Sequence, residues 1–366
     1  MLNRKHYSKL FILAQRATKY LLNQDKSSSG CDRFFQTSSK KSGHIVYLRE
    51  SEALAAIITP WRNRLYIRED FSMTTKPKLL IVDGMALLFR SFFASAAMGH
   101  FIRLADGTPT NGAQGFVRHV LTAQSIMKPT HMAVCWDMGA HTFRNDLFDG
   151  YKANRPAPPE EMLPQFDMAK NLAQQIGWKN FGVQGMEADD LIGSMITKWQ
   201  NEADITVISG DKDLLQLLRP STEIAFTKKG YTEYDIYTHA RFHEEYRIEP
   251  AQFAQVKAFM GDTSDGYPGV KGIGPKQALT LIQTYGSIDN ILASLAELKP
   301  GQRTKIQENI KMLQLSYELA TIQTDVPIEA DFTSLVLPNY QAQTFKAIEE
   351  SGYTLIAKHA RSLYSV

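Results

Sequence analysis

Leu79-Leu80-Ile81-Val82-Asp83-Gly84 is four apolar residues running straight into an acid and a glycine. So short an apolar run, bounded by a turn signal, reads as a parallel strand buried on both faces. The same form occurs twice more: residues 132–136 run into Asp137, and residues 205–209 run into Gly210-Asp211-Lys212-Asp213. Helical patterns lie between them, with Phe166, Ala169, Leu172, Ala173 and Ile176 in one and Leu191, Ile192, Met195, Ile196 and Trp199 in the other. Strands alternating with helices predict an α/β fold with a central, mostly parallel sheet flanked by helices. Residues 223–227 and 231–235, either side of Lys228-Lys229-Gly230, predict a hairpin. After residue 240 the pattern turns helical, and Pro250 suits a first helical turn.

Parallel strands bring the residues after their carboxyl ends to one edge of the sheet, where open α/β folds bind ligands. One acid there reads as a turn or a helix cap; three at one edge ask for another reason. Glu187-Ala-Asp189-Asp190 opens the second helical pattern, where the helix dipole favours acids in any case. A loop, Gly261-Asp262-Thr263-Ser264-Asp265-Gly266, adds two more. Clustered carboxylates are costly to bury without a cation, and a hard divalent ion with oxygen ligands removes that cost. Nine acids suit two ions, which can stabilise both the attacking and the leaving oxygen of a phosphodiester.

Two basic stretches accompany the acids. Gly269-Val-Lys271-Gly272-Ile273-Gly274-Pro275-Lys276 reads either as a plain turn or as a phosphate grip at a helix start, and beside an acid cluster it favours a sequence-independent hold on a DNA backbone. Residues 142–159 carry Arg144, Tyr151, Lys152 and Arg155 among prolines and glycines. They read as a solvated loop or as a strand-contacting segment in which Tyr151 stacks on a base.

Together these stretches resemble the 5′-nuclease superfamily of flap endonucleases and 5′→3′ exonucleases, over residues 78 to about 325. The nearest likeness is to small stand-alone bacterial 5′→3′ exonucleases and the nuclease domain of bacterial DNA polymerase I. The resemblance implies a PIN-like core at 73–240 with a helical arch near 139–165, and a helix–three-turn–helix subdomain at 241–330 that leaves 331–366 as a tail. It implies one metal group of Asp83, Asp137, Glu187, Asp189 and Asp190, and a second of Asp190, Asp211, Asp213, Asp262 and Asp265. Two Mg²⁺ ions are expected, Mn²⁺ substituting, with potassium at the helix–three-turn–helix. Lys152 and Arg155 are expected to steady the scissile phosphate. Arg144, Tyr151, Lys152, Arg155, Lys271, Gly272, Gly274 and Lys276 are expected to touch DNA. The implied activity is phosphodiester hydrolysis by metal-activated water on DNA with 5′ ends, flaps or nicks and on RNA/DNA primer junctions. The implied setting is a monomer in the bacterial cytoplasm, with the nucleoid. The alternatives are a PIN-type ribonuclease and a non-catalytic structure-specific DNA-binding protein. The sequence departs from the family at Gly266, where an asparagine is usual, and at Tyr267, where a branched aliphatic residue is common.

Composition bounds the rest. The 366 residues are 43% hydrophobic and 22% charged, as expected of a globular chain. No stretch approaches the roughly 20 apolar residues of a membrane span, and two cysteines argue against a disulfide framework. The net charge of +3 is uneven: residues 1–72 hold 13 Lys/Arg against 6 Asp/Glu, the remainder 28 against 32. Net charge therefore gives the main body no vote for DNA. Residues 1–72, with Ser-rich stretches at 27–30 and 37–43, are expected to be a basic, poorly structured extension. They read as upstream sequence before a start at Met73, as a disordered arm, or as an organelle-targeting peptide.

Overall fold

The computed structural model describes residues 76–97 and 99–364, with the backbone of two strands nearer the amino terminus. The chain divides into units Met1–Thr74 and Thr75–Val366. In the first, β1 (Phe34–Ser38) and β2 (Ile45–Arg49) pair antiparallel; the rest of the expected extension lies outside the described residues.

The second unit is built on a six-stranded sheet. Its strands are β3 (Lys78–Asp83), β4 (His131–Cys135), β5 (Lys179–Phe181), β6 (Asp204–Ser209), β7 (Thr222–Thr227) and β8 (Tyr234–Thr238). The order is β5-β4-β3-β6-β7-β8, parallel throughout except for β8. The quoted run is thus a central strand, and its alternation is two-sided. Leu79 and Ile81 enter one core with Ala133 and Cys135, while Leu80 and Val82 enter the other with Met132 and Val134. Neither face meets water, so the strand reads as continuously apolar.

Helices cover both faces. On one lie α1 (Gly84–Ala96), α2 (Asn111–Met127) and α4 (Leu163–Ile176). The other receives α5 (Ala188–Trp199), whose Leu191, Ile192, Met195, Ile196 and Trp199 are all buried. Between β4 and α4 the chain forms the five-residue α3 (Phe143–Leu147), turns, and a 3₁₀ turn. The segment expected to be a helical arch is thus a short helix followed by turns. The helical part that follows runs through α6 (His239–Tyr246), α7 (Phe253–Met260), α8 (Pro275–Tyr285), α9 (Ile288–Ala293), α10 (Pro300–Glu308) and α11 (Ile310–Ala320).

Two expectations change. The second hairpin strand starts at Tyr234, not at residue 231, because the Tyr231 ring stacks on His119 of α2 with centroids 5.0 Å apart. Residues 331–366, expected as a tail, form α12 (Ala342–Glu350) and α13 (Thr354–Leu363), which bury Phe345, Ile348, Ile356, Ala357 and Ala360 in the core beside α2 and α4. Among the described residues, no helix is long and apolar enough to cross a membrane.

Candidate active site

Asp83 ends β3 and caps α1. One carboxylate oxygen accepts from Ala86 N at 2.9 Å, the other from the Ser209 hydroxyl at 2.6 Å. Gly84 follows because the Trp136 indole lies against it; a Cβ there would stand 2.6 Å from the ring. That approach brings the end of β3 against the end of β4, and so Asp83 towards Asp137. Asp137 accepts from Ala188 N at 2.6 Å, tying β4 to the first turn of α5. The parallel registers of β3 with β4 and β6 then carry Asp211 to the same edge.

Asp83, Asp137, Glu187, Asp189 and Asp211 line one pocket of about 150 Å³, with Lys152 and Arg155 also in its wall. Burial raises Asp83 to about 7 from an ordinary 3.8, and the charges of Asp137 and Asp211 add to it, against the bonds from Ser209 and Ala86. Burial and then Asp211, Asp83 and Glu187 push Asp189 well up. Asp211 is raised by burial and by Asp265. Asp137 is raised by burial, against the bond from Ala188 and the Lys152 charge. The pocket is a set of oxygens that repel one another in a dry site.

Glu187 and the acids outside the pocket are held by cations of the chain itself. Lys152 Nζ meets Glu187 at 2.7 Å, and Arg155 meets Asp265 at 2.7 Å. Lys257, only 7% exposed, joins Asp213 at 2.7 Å and also pairs with Asp262. Burial, which lowers an ammonium, is outweighed by Asp213 and Asp262, and Lys257 is held charged. Asp262 is lowered to about 2: burial raises it, but bonds from Lys257 and Ser264 prevail. Lys257 was missed in the sequence. Its signal was a lysine flanked by the buried Val256 and Ala258, five residues before Asp262.

Three of the expected site residues lie buried and bonded within the chain. Asp190 is 0% exposed and does not line the pocket. Its two oxygens take a bidentate pair of 2.8 Å bonds from Arg144, and accept also from Glu187 N at 3.1 Å and Gln323 N at 2.9 Å. Four bonds from the chain itself thus occupy its two oxygens, at the residue expected to serve both ions. Arg144, 2% exposed, also donates to Leu319 O at 3.0 Å and Thr321 O at 2.9 Å, so it does not face a DNA surface. Tyr151 is buried as well, its hydroxyl donating to Glu187 at 3.1 Å, so its ring is no stacking platform. The physical reason is shared. Glu187 and Asp190 form the buried opening of α5, and carboxylates without water need donors.

At the glycine turn, Val270 and Ile273 are buried while Lys271, Gly272, Gly274 and Lys276 are exposed. Gly274 caps α8 without a side chain, and Lys305 Nζ donates to the Gly272 carbonyl at 2.9 Å.

The chain matches two family models end to end: the 5′-3′ exonuclease N-terminal resolvase-like domain over residues 78–247, and the 5′-3′ exonuclease C-terminal SAM fold over 248–343. A 5′-3′ exonuclease of Bacillus subtilis is 51% identical over 251 residues, which is 69% of this chain and 85% of that protein. The chain belongs to the 5′-3′ exonuclease family. Within the wider family, the DNA polymerase I of Bacillus caldotenax is 37% identical over 257 residues, but the match spans only 29% of that longer protein. Among solved structures, the T5 5′-exonuclease with bound divalent zinc aligns at a TM-score of 0.55 and 22% identity, covering 78% of this chain and 98% of that one. Flap endonuclease-1 of Methanococcus jannaschii aligns at 0.51 and 18%, covering 79% and 92%. At those identities the likeness is one of fold. It extends the exonuclease family architecture, a central sheet flanked by helices, to this chain.

Proposed function

We propose that this member of the 5′-3′ exonuclease family hydrolyses DNA phosphodiester bonds at 5′ ends, nicks and flaps. The observation that carries the reading is one pocket holding five carboxylates from three strand ends and a helix start, with Lys152 and Arg155 in the same wall.

The donor set fits a hard divalent ion in its chemistry: five carboxylates, four of them raised by burial and by the charge of neighbouring carboxylates. Among the described residues, no three acids, histidines or cysteines are drawn into a ready-made coordination group. Asp83, Asp137, Glu187, Asp189 and Asp211 would hold the ion after small side-chain shifts. Mg²⁺, or Mn²⁺ in its place, would supply Lewis-acid charge and activate water there. The chain's own part is to exclude bulk water, fix the acids on rigid elements and offer two cations. Lys152 and Arg155, now paired with Glu187 and Asp265, lie where phosphate oxygens enter, and exchange of those carboxylates for phosphate would place positive charge on the developing oxyanion. A second ion belongs at Asp211, Asp213, Asp262 and Asp265, in competition with Lys257. Potassium at the glycine turn would lie beside the Lys305 ammonium. Lys271 and Lys276, exposed at that turn, suit phosphates of a duplex. Such a substrate implies a cytoplasmic protein working on nucleoid DNA in primer or flap removal.

The test is cleavage of a 5′-labelled flap, a nicked duplex, a single DNA strand and a single RNA strand, with Mg²⁺, with Mn²⁺ and with EDTA. Metal-dependent cutting of the flap and nick, abolished by EDTA, is expected. Preferential cutting of the RNA strand would favour the PIN-type reading, and binding without cutting would favour a non-catalytic protein.

A further inference from the structure

The segment carrying Lys152 and Arg155 does not stand clear of the acids; it is docked on the loop 262–267. Lys152 N donates to Asp265 O at 2.8 Å. Asn154 Nδ2 donates to Thr263 O at 2.7 Å. Arg155 adds the 2.7 Å pair with Asp265 and a 3.3 Å bond to Ser264 O. At the centre lies Gly266, with φ +81°, and a Cβ built there would stand 2.5 Å from the Gly150 carbonyl oxygen. The obstacle is a backbone carbonyl, so no neighbouring side chain can turn aside to relieve it. Lys152 itself has φ +53°, a left-handed conformation that a lysine adopts at a cost. Behind the contact, Tyr151 and Tyr267 are buried in one small apolar cluster with Ala254, Leu319 and Ala320, which anchors both partners of the dock.

We propose that Gly266 is a positioning residue: the missing side chain lets the 150–155 turn seat on the second acidic loop, and this seating sets where Lys152 and Arg155 stand over the pocket. The inference rests on the 5′-nuclease reading for its consequence but not for its geometry. Gly266 touches no reacting atom. It acts by admitting the Gly150 carbonyl, which fixes the turn, which aims the two cations. A side chain at 266 lifts the turn and moves both charges together, while the duplex-holding turn at 269–276 is left as it was.

The experiment compares wild type with Gly266→Ala, Gly266→Asn and Asn154→Ala. Asparagine tolerates a left-handed φ better than alanine, so equal losses from both place the cause in the added Cβ. Asn154→Ala removes one bond of the dock from an exposed side chain and leaves the loop backbone alone. Four quantities are measured: kcat and KM on a 5′-flap duplex with Mg²⁺, the rate of trypsin cleavage after Lys152, and the melting temperature. For both Gly266 variants, kcat is expected to fall about 10²-fold, the scale of an ångström's misplacement. KM should stay near wild type, Lys152 should be cut faster, and melting should be little changed; Asn154→Ala should move kcat and trypsin cleavage the same way by less. Wild-type kcat with unchanged protection of Lys152 overturns the proposal. So does a parallel fall of kcat, binding and melting temperature, which marks Gly266 as merely structural. If wild type itself cleaves no DNA, the functional reading fails separately, and trypsin cleavage after Lys152 still decides whether the dock depends on Gly266.

Discussion

Asp190 and Arg144 show how a carboxylate in an acid-rich motif can be bound into the fold. Their paired 2.8 Å bonds are closed from water, and each partner also meets backbone groups. Removing one partner of a buried pair leaves an uncompensated charge, which costs about 3–5 kcal/mol. Arg144→Ala is therefore expected to lower unfolding free energy by that amount in urea titration, and a loss below about 1 kcal/mol would mean the pair contributes no more than a surface pair. Asp211→Ala should behave oppositely. It removes one of several carboxylates that repel each other, so in chelator its melting temperature should match or exceed wild type while metal-dependent cleavage is lost. Cleavage at the wild-type rate by Asp211→Ala would remove Asp211 from the site. Sequence could name both aspartates as candidates but not tell them apart. The difference is that Asp190 meets Arg144, and that depends on the short helix α3, 46 residues away in sequence.

The elements divide by how local their signals are. β3, β4 and β6 were legible because a strand buried on both faces has no polar alternation to obscure it. The apolar stripe of α5 was legible for the same kind of reason. The three-residue edge strand β5 was not, since it exists only through pairing with β4. Nor were α12 and α13, whose buried residues are spread thinly through polar sequence and acquire a purpose only against α2 and α4. These two helices are nevertheless part of the core. Phe345 is fully buried, and Phe345→Ala is expected to cost about 3–5 kcal/mol. Denaturant unfolding followed by tryptophan fluorescence reads this, because Trp178 shares that core and bonds to Tyr340 just before α12. A change below about 1 kcal/mol would show that the carboxyl-terminal helices are dispensable packing.

At the scale of the molecule, the acid cluster makes stability depend on pH in an uncommon sense. Asp83 and Asp213 are both raised to about 7, burial being the first cause for each. Between an ordinary carboxylate's pKa of about 4 and this value, the folded chain keeps protons that the unfolded chain has released, so stability falls as pH rises. Their contribution is complete below the unfolded value and is lost as pH climbs through about 7. In EDTA, the melting temperature at about pH 8 should lie below that at about pH 6, and Mg²⁺ at the higher pH should restore it by binding the folded state. A melting temperature that is flat or rises over this interval would contradict the clustering. What the sequence by itself determined was the α/β alternation, the placing of acids after strands, and hence the edge where the chemistry lies, because strand burial and chain direction are local properties. What only the tertiary structure decided was which charges neutralise which. Lys257 between Asp213 and Asp262, Arg144 on Asp190, and the Gly150 carbonyl over Gly266 are contacts between distant or turned-in residues, and a carboxylate's role is set by the donors that reach it once water is gone.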